Sequence, residues 1–297
     1  ISFLCVGIIF FIIFIIVYRF KFGLASEEVL SFVASFSIWE FAEMRIFEED
    51  DIKEKIVEIF THDSREVKNN TLFLCKGANF KKEFLDSALK NGSIAYVCEV
   101  TYKEYNKPFI VVSDIRKALA ILSAFYTNYP EKNINMIGIT GTKGKSTTTY
   151  YIKYILDEYM KDLNKKDTAV ISSIDTYDGV ERKESVLTTP EALELHKHIR
   201  NAVDSGMENL VMEVCSQALK TDRTYGIQYK YGIFLNISED HISNIEHKDY
   251  EEYFTSKLKL FNQTDIAVIN LNTDDLNRVL NAAKKSKRII TFSLGIL

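Results

Sequence analysis

From residue 134 onward the chain alternates short apolar runs with longer amphipathic ones, and this alternation constrains the fold more than any other feature. "INMIGIT" reads as a buried strand that leads into a helix from Lys145 to about Met160. Strand "TAVISSI" follows, then a helix opened by Pro190 with Thr189 as its expected N-cap. Next come strands "NLVMEV" and "YGIFLNI", a helix over "YEEYFTSKLKLF", strand "DIAVIN", a helix from Asp274 and strand "RIITFS". Strands joined by crossover helices return parallel to one another, so the expected architecture is a doubly wound, mainly parallel α/β sheet. Ligands on such sheets sit at the carboxyl ends of the strands.

Upstream the pattern is mixed α/β. "NTLFLCKG", "SIAYVCEV" and "KPFIVVSD" read as strands, and "KKEFLDSALKNG" as a helix closed by Gly92. "DIRKALAILSAFYTNYP" reads as an amphipathic helix that ends before Pro130. The expected division is a domain over 51–130 and a second over 131–297, and 297 residues suffice for two cores. Ahead of them, residues 1–22 are an apolar run about long enough to span a bilayer, and residues 23–50 connect it. Two readings of that run stand side by side. One is a membrane anchor, with Arg19 and Lys21 keeping the remainder on the cytoplasmic side. The other is translated sequence upstream of a true start at Met44. A membrane is a partner only under the first, and the rest of the chain is cytoplasmic under both. The last residues, "RIITFSLGIL", lack a closing helix or polar tail and read as the edge of a longer polypeptide.

Composition narrows the partners. A net charge of −4 without a basic stripe argues against nucleic acid. Cys5, Cys75, Cys98 and Cys215 are scattered, with no CxxC pair, and read as reduced thiols in a cytosolic protein.

Between the first strand of the second region and its helix lies "GITGTKGKSTTT", residues 138–149. The general phosphate-loop pattern asks for glycine five residues before Gly144, where this chain has Ile139, so the stretch is either a chance Gly/Thr-rich turn or a narrower variant of that loop. Strand, glycines, Lys-Ser and helix in one register favour the variant. Backbone N–H groups and the helix N-terminus then form an anion site, Lys145 reaches β- and γ-phosphates, and the Ser146 hydroxyl faces Mg²⁺. Other candidates fall at strand ends of the same sheet. Glu213 closes "NLVMEV", where an apolar run makes a carboxylate need a partner such as Mg²⁺. Asp240-His241 follow "YGIFLNIS". His247, His196 and His198 read as solvated residues.

"GITGTKGKSTTT", "TTPEALELHKHI", "MEVCSQALKTDRTYG", "NISEDHISNIEH", "YFTSKLKLF" and "NLNTDD" occur in the order and spacing of the Mur ligases, which the chain resembles from roughly residue 55 to 297. The likeness is greatest to the branch adding the third residue of the peptidoglycan stem peptide. "THDSREVKNNTLFLCKGANF" resembles that branch's uridine-nucleotide segment. The resemblance implies an N-terminal UDP-substrate domain, a central ATPase domain, and a C-terminal ligase domain beyond residue 297. It implies ATP and Mg²⁺, with Gly141, Thr142, Lys143, Gly144, Lys145, Ser146 and Thr147 around the phosphates and Asn272 beside adenine. Glu213, His241, Ser146 and Lys257, the last as a carbamate, would hold metal, and Lys145, Lys257, His241 and Glu213 would carry catalysis. Thr188, Thr189, Cys215 and Arg223 match substrate positions, and Ser64 and Arg65 match the UDP end.

Four departures stand out. Lys143 replaces a usual Asn, Cys215 and Gln217 replace a usual Ser and His, and Leu187 precedes the two threonines where some members have Asn. The implied activity is ATP-dependent addition of an amino acid to UDP-MurNAc-L-Ala-D-Glu through an acyl phosphate. The alternatives are a paralogue acting on another carboxylate and a nucleotide-binding fragment without turnover.

Overall fold

The computed structural model describes residues 45–47, 59–77, 80–102, 104–240, 242–243 and 246–295. The apolar run 1–22, almost all of the connecting segment 23–50, and His241 lie outside the described residues. Among those described, no helix is long and apolar enough to cross a membrane. The chain divides into two compact units between Ala118 and Leu119.

The first unit is a five-stranded sheet built from β1 (Arg45–Phe47), β2 (Ile59–Thr61), β3 (Thr71–Leu74), β4 (Ser93–Cys98) and β5 (Phe109–Val111), in the order β1-β5-β4-β3-β2. All pairs are parallel except β1 with β5. Helix α1 (Lys82–Lys90) lays Leu85 and Ala88, three residues apart and so on one face, against Phe73, Tyr96 and Phe109. Gly92 follows the helix at φ +108°, where a Cβ would sit 2.4 Å from Asn69 Oδ1; both the backbone and the space require glycine. Cys75 and Cys98 are free and buried, and burial pushes both thiols up.

Helix α2 (Ile115–Tyr126) crosses the division, and the second unit then forms an eight-stranded sheet. Its strands are β6 (Asn135–Thr140), β7 (Ala169–Ile171), β8 (Asp175–Tyr177), β9 (Arg182–Glu184), β10 (Asn209–Glu213), β11 (Tyr229–Phe234), β12 (Thr264–Asn270) and β13 (Arg288–Phe292), ordered β13-β12-β11-β6-β10-β7-β8-β9. Pairing is parallel from β13 to β7, as expected, and β8 and β9 add an antiparallel hairpin that the sequence pattern did not reveal. At three residues each, with polar "DTY" and "RKE", those strands carry no readable period.

The buried strands are covered on both faces, and alternate residues supply the two cores. Met136, Ala169, Ile171, Leu210 and Met212 pack with Leu195, Ile199 and Ala202 of α4 (Ala192–Asp204). Ile137, Ile139, Val211 and Ile233 pack instead with Ile152 and Leu156 of α3 (Lys145–Asp162). Phe234, Ala267 and Ile269 meet Tyr253 and Phe254 of α6 (Tyr250–Leu258) and Val279 of α7 (Leu276–Ala283). Short helix α5 (Ser216–Lys220) follows β10 directly.

The fold departs from two sequence expectations. Thr189 does not cap α4: Glu191 occupies the N-cap position, without a side-chain cap, and the Thr189 hydroxyl is used elsewhere. His196, His198 and His247 are buried rather than solvated. Helix α4 is covered on both flanks: Glu131, in the 3₁₀ turn Pro130–Asn133, stands beside His196, and the β8–β9 turn receives His198 through Asp178. His247 Nε2 is 3.0 Å from Ser216 Oγ. Burial alone pushes His196 down to about 4, so it is neutral. Burial also opposes charge on His198, but Glu194 and Asp178 outweigh it and hold that imidazole above its ordinary value.

Candidate nucleotide site

Strand β6 is the first strand of its sheet and has β11 on one side and β10 on the other, so the strand order reverses around it. The crevice at such a reversal opens at the strands' carboxyl ends, here Thr140, Glu213 and Phe234. Residues 141–144 make the turn into α3. Gly144 is its N-cap at φ +81°, a left-handed conformation that disfavours a side chain. Gly141 is glycine for space, since a Cβ would lie 3.0 Å from Leu235 Cβ. The first amide bonded back along the helix is Thr148, to Gly144 O. The N–H groups of the preceding first turn therefore point out of the helix end, where the dipole favours anions.

Two lysines converge on this loop. Lys145 Nζ donates to the carbonyls of Gly141 at 3.0 Å and Thr142 at 3.2 Å. Lys257, 116 residues beyond Gly141 in sequence, donates to the same Gly141 carbonyl at 2.9 Å. Its side chain is 1% exposed, and its ammonium stands 4.5 Å above the Tyr253 ring. Burial first, and the Lys145 charge second, push the Lys257 amine down to about 7. Neighbouring Lys259 is far more exposed and donates to Leu219 O.

An oxygen-rich group faces the loop from β10. Glu213 is 1% exposed, and its Oε1 accepts from Ser173 N at 2.9 Å and Ser173 Oγ at 3.2 Å. Ser173 Oγ is 3.0 Å from Ser146 Oγ. The three side chains thus form a hydrogen-bonded row of hard oxygen donors of the kind Mg²⁺ takes. The carboxylate expected to need a partner has one, and it is Ser173, which lay unremarked in "AVISSI".

The expected substrate residues cluster beside this row. Thr189 Oγ1 donates to Glu213 O at 2.9 Å and accepts from Cys215 N at 3.1 Å. Arg223 Nη1 donates to Thr189 O at 3.1 Å, and its Nε stands 3.1 Å from Glu191. Cys215 caps α5 by accepting from Ala218 N at 3.4 Å, and Thr188 is half-buried beside them. Lys143 is exposed and pairs with Asp240 at 3.5 Å. Asn272 Oδ1 accepts from Leu294 N at 2.9 Å, at the exposed end of β12. Ser64 and Arg65 belong to the first unit, where Arg65 donates to Asp63 and holds that carboxyl down at about 2. Missed by the sequence reading were Asn236, Ser238 and Tyr253, which all bond the phosphate loop. Asn236 and Ser238 carry one sequence signal, polar residues just after an apolar strand, whereas Tyr253 lies within α6 and carries none.

The fold and the loop define a doubly wound phosphate-loop domain of nucleotide-binding type. The Mur ligase middle domain matches residues 139–296, more than half of the chain. The UDP-N-acetylmuramoyl-L-alanyl-D-glutamate–L-lysine ligase of Enterococcus faecalis is 42% identical over 239 residues, covering 80% of this chain and 46% of that protein. The UDP-N-acetylmuramyl-tripeptide synthetase of Lactobacillus delbrueckii is 44% identical over 237 residues, covering 78% of this chain and 45% of that protein. A solved UDP-N-acetylmuramoyl-L-alanyl-D-glutamate–2,6-diaminopimelate ligase shares the fold at TM-score 0.69 and 23% identity, over 83% of this chain and 50% of that one. The chain belongs to the Mur ligase family. It spans about half the length of the relatives it matches.

Proposed function

We propose that this chain is the substrate- and ATP-binding part of a cytoplasmic amide ligase that adds an amino acid to UDP-MurNAc-L-Ala-D-Glu. The region from about 51 to 130 takes the uridine-nucleotide end through Ser64 and Arg65. The region from 131 onward takes ATP, with Asn272 on the adenine side. The γ-phosphoryl group passes to the substrate's terminal carboxylate, giving an acyl phosphate and ADP, and the incoming amine then displaces phosphate to form the amide. Catalysis of this kind rests on positioning and charge stabilisation. Loop amides from Gly141 to Thr147 cradle the phosphates, and Lys145 exchanges its two loop carbonyls for phosphate oxygens. Thr188, Thr189, Cys215 and Arg223 orient the peptide end. Ser146, Glu213, His241 and a carbamate on Lys257 are the groups that would hold Mg²⁺, which when bound supplies neutralisation of the polyphosphate charge.

The observation that carries this reading is Lys257. A phosphate loop by itself needs no buried lysine brought to its first carbonyl from another helix. An amine at about 7 is about half unprotonated at pH 7, where an ordinary lysine is almost wholly charged, and capture of CO₂ requires the neutral form; the product is an anion beside cations. The test pairs an ATP-Mg²⁺ binding assay with phosphate release dependent on UDP-MurNAc-L-Ala-D-Glu and an amino acid, the latter in a full-length version extended past Leu297. Binding with substrate-dependent release is expected, and Lys257→Ala should lose release far more than binding, with formate or acetate restoring part of it. Binding without release in the full-length protein would leave a nucleotide-binding module, and release driven by another carboxylate would identify a paralogue.

A further inference from the structure

Asn236 stands two residues beyond β11, and its carboxamide pairs with the phosphate loop in the manner of a peptide group. Its Oδ1 accepts from Thr142 N at 3.0 Å and from Lys143 N at 2.9 Å, while its Nδ2 donates to Lys143 O at 3.1 Å. One side chain therefore holds both backbone groups of Lys143, as a neighbouring strand would, although the sheet has ended at Thr140 and Phe234. The surrounding bonds anchor Asn236 itself. Leu235 N donates to Thr140 O at 3.0 Å, Asn270 Nδ2 donates to Leu235 O at 2.9 Å, and Thr142 N is shared with Asn236 O at 3.1 Å. The Thr142 hydroxyl is fixed in turn by Ser238 N at 3.0 Å and Tyr253 OH at 3.1 Å.

We infer that Asn236 is a positioning residue that sets the phosphate loop in its anion-binding shape before nucleotide arrives. The inference rests on the ATP-binding reading above. Its physical basis is conformational. The segment Gly141–Gly144 contains two glycines, and ordering such a segment at the moment of binding would cost affinity that a pre-set loop retains. An apolar side chain of similar size offers neither the acceptor for two N–H groups nor the donor for the carbonyl. A carboxylate would keep the acceptor but lose the donor and bring negative charge to the phosphates. The amide supplies both functions without charge.

The test measures ATP-Mg²⁺, ADP-Mg²⁺ and adenosine binding to the unsubstituted chain, Asn236→Ala and Asn236→Gln by competition with a fluorescent ATP analogue, alongside thermal unfolding without nucleotide. Gln keeps the carboxamide and displaces it by one methylene, so the chemistry is conserved and the register is not. Both variants are expected to weaken ATP and ADP at least about tenfold, the equivalent of one to three hydrogen bonds, with adenosine affinity within about twofold of unsubstituted. A merely structural role would lower all three ligands together. Should Asn236→Ala fail to fold, Asn236→Gln decides. ATP affinity within about twofold of unsubstituted in the folded variants, or equal losses for ATP and adenosine, overturns the positioning role while leaving the nucleotide site standing. An unsubstituted chain that binds no ATP overturns the ATP-binding reading and the positioning role with it.

Discussion

Replacing Lys257 by Met should stabilise the nucleotide-free chain near neutral pH relative to the lysine it removes, and should abolish a pH dependence that the lysine causes. The amine is buried, and its ordinary value of 10.5 falls to about 7 in the fold. Between those values the unfolded chain holds a proton that the folded chain has released. Stability therefore rises with pH across that window, by about 1.4 kcal/mol per unit where release is complete. From pH 7, where the folded amine is half protonated, to pH 9 the gain is about 2 kcal/mol. Met lacks this proton, so the stability difference between the two chains should shift toward the unsubstituted one by that amount. Removing the ammonium does not orphan the Gly141 carbonyl, because Lys145 still donates to it at 3.0 Å. The Met variant should thus be at least as stable at pH 7 while losing ligase activity in the full-length protein. Urea unfolding followed by circular dichroism at pH 7 and pH 9, in CO₂-free buffer so that the amine stays uncapped, measures the difference. Parallel pH dependences for the two chains would refute the desolvation of Lys257, and with it the reason a carbamate could form there.

Other outcomes follow from neighbouring contacts. Lys145→Ala should abolish ATP-Mg²⁺ binding at concentrations that saturate the unsubstituted chain, measured by calorimetry; equal binding would remove the phosphate-loop assignment. Gly232→Ala should destabilise the second unit by about 1–3 kcal/mol in denaturant unfolding, because its Cβ would lie 2.2 Å from Thr264 Oγ1 across the β11–β12 pair. For His198, whose folded value lies above its ordinary 6.5, the stabilising pairing with Asp178 and Glu194 is present below that value and lost as pH rises through the folded one. His198→Gln should accordingly cost more stability at pH 6 than at pH 9, and a pH-independent cost would show that the imidazole stays neutral. Cys215→Ser should keep the fold and strengthen the cap of α5 by a few tenths of a kcal/mol in urea unfolding, since a hydroxyl is a better acceptor for Ala218 N than a thiol at 3.4 Å.

The sequence by itself determined the parallel α/β order of the second unit, since buried strands and crossover helices differ in both length and period. It also determined the phosphate loop, because glycines, Lys145 and Ser146 are local to one strand-to-helix turn. Glu213 could be singled out because a carboxylate ending so apolar a run must find a partner. Local pattern stopped where burial comes from elsewhere. His196 and His198 sit in a helix whose sequence looks half solvated, yet both are buried, with Glu131 of the 130–133 turn beside one and Asp178 of the β8–β9 turn against the other. Thr189 had the composition of an N-cap, yet its hydroxyl bridges Glu213 O and Cys215 N because the loop leading into α4 lies against the carboxyl end of β10. Lys257 was marked only through the family resemblance, since spacing cannot tell a buried lysine from a surface one. Its convergence with Lys145 on a single carbonyl, and the Asn236 clasp on the same loop, join residues 93 to 116 positions apart. Such contacts are decided by which strand lies beside which, and strand order is a property of the folded sheet rather than of any local stretch of chain.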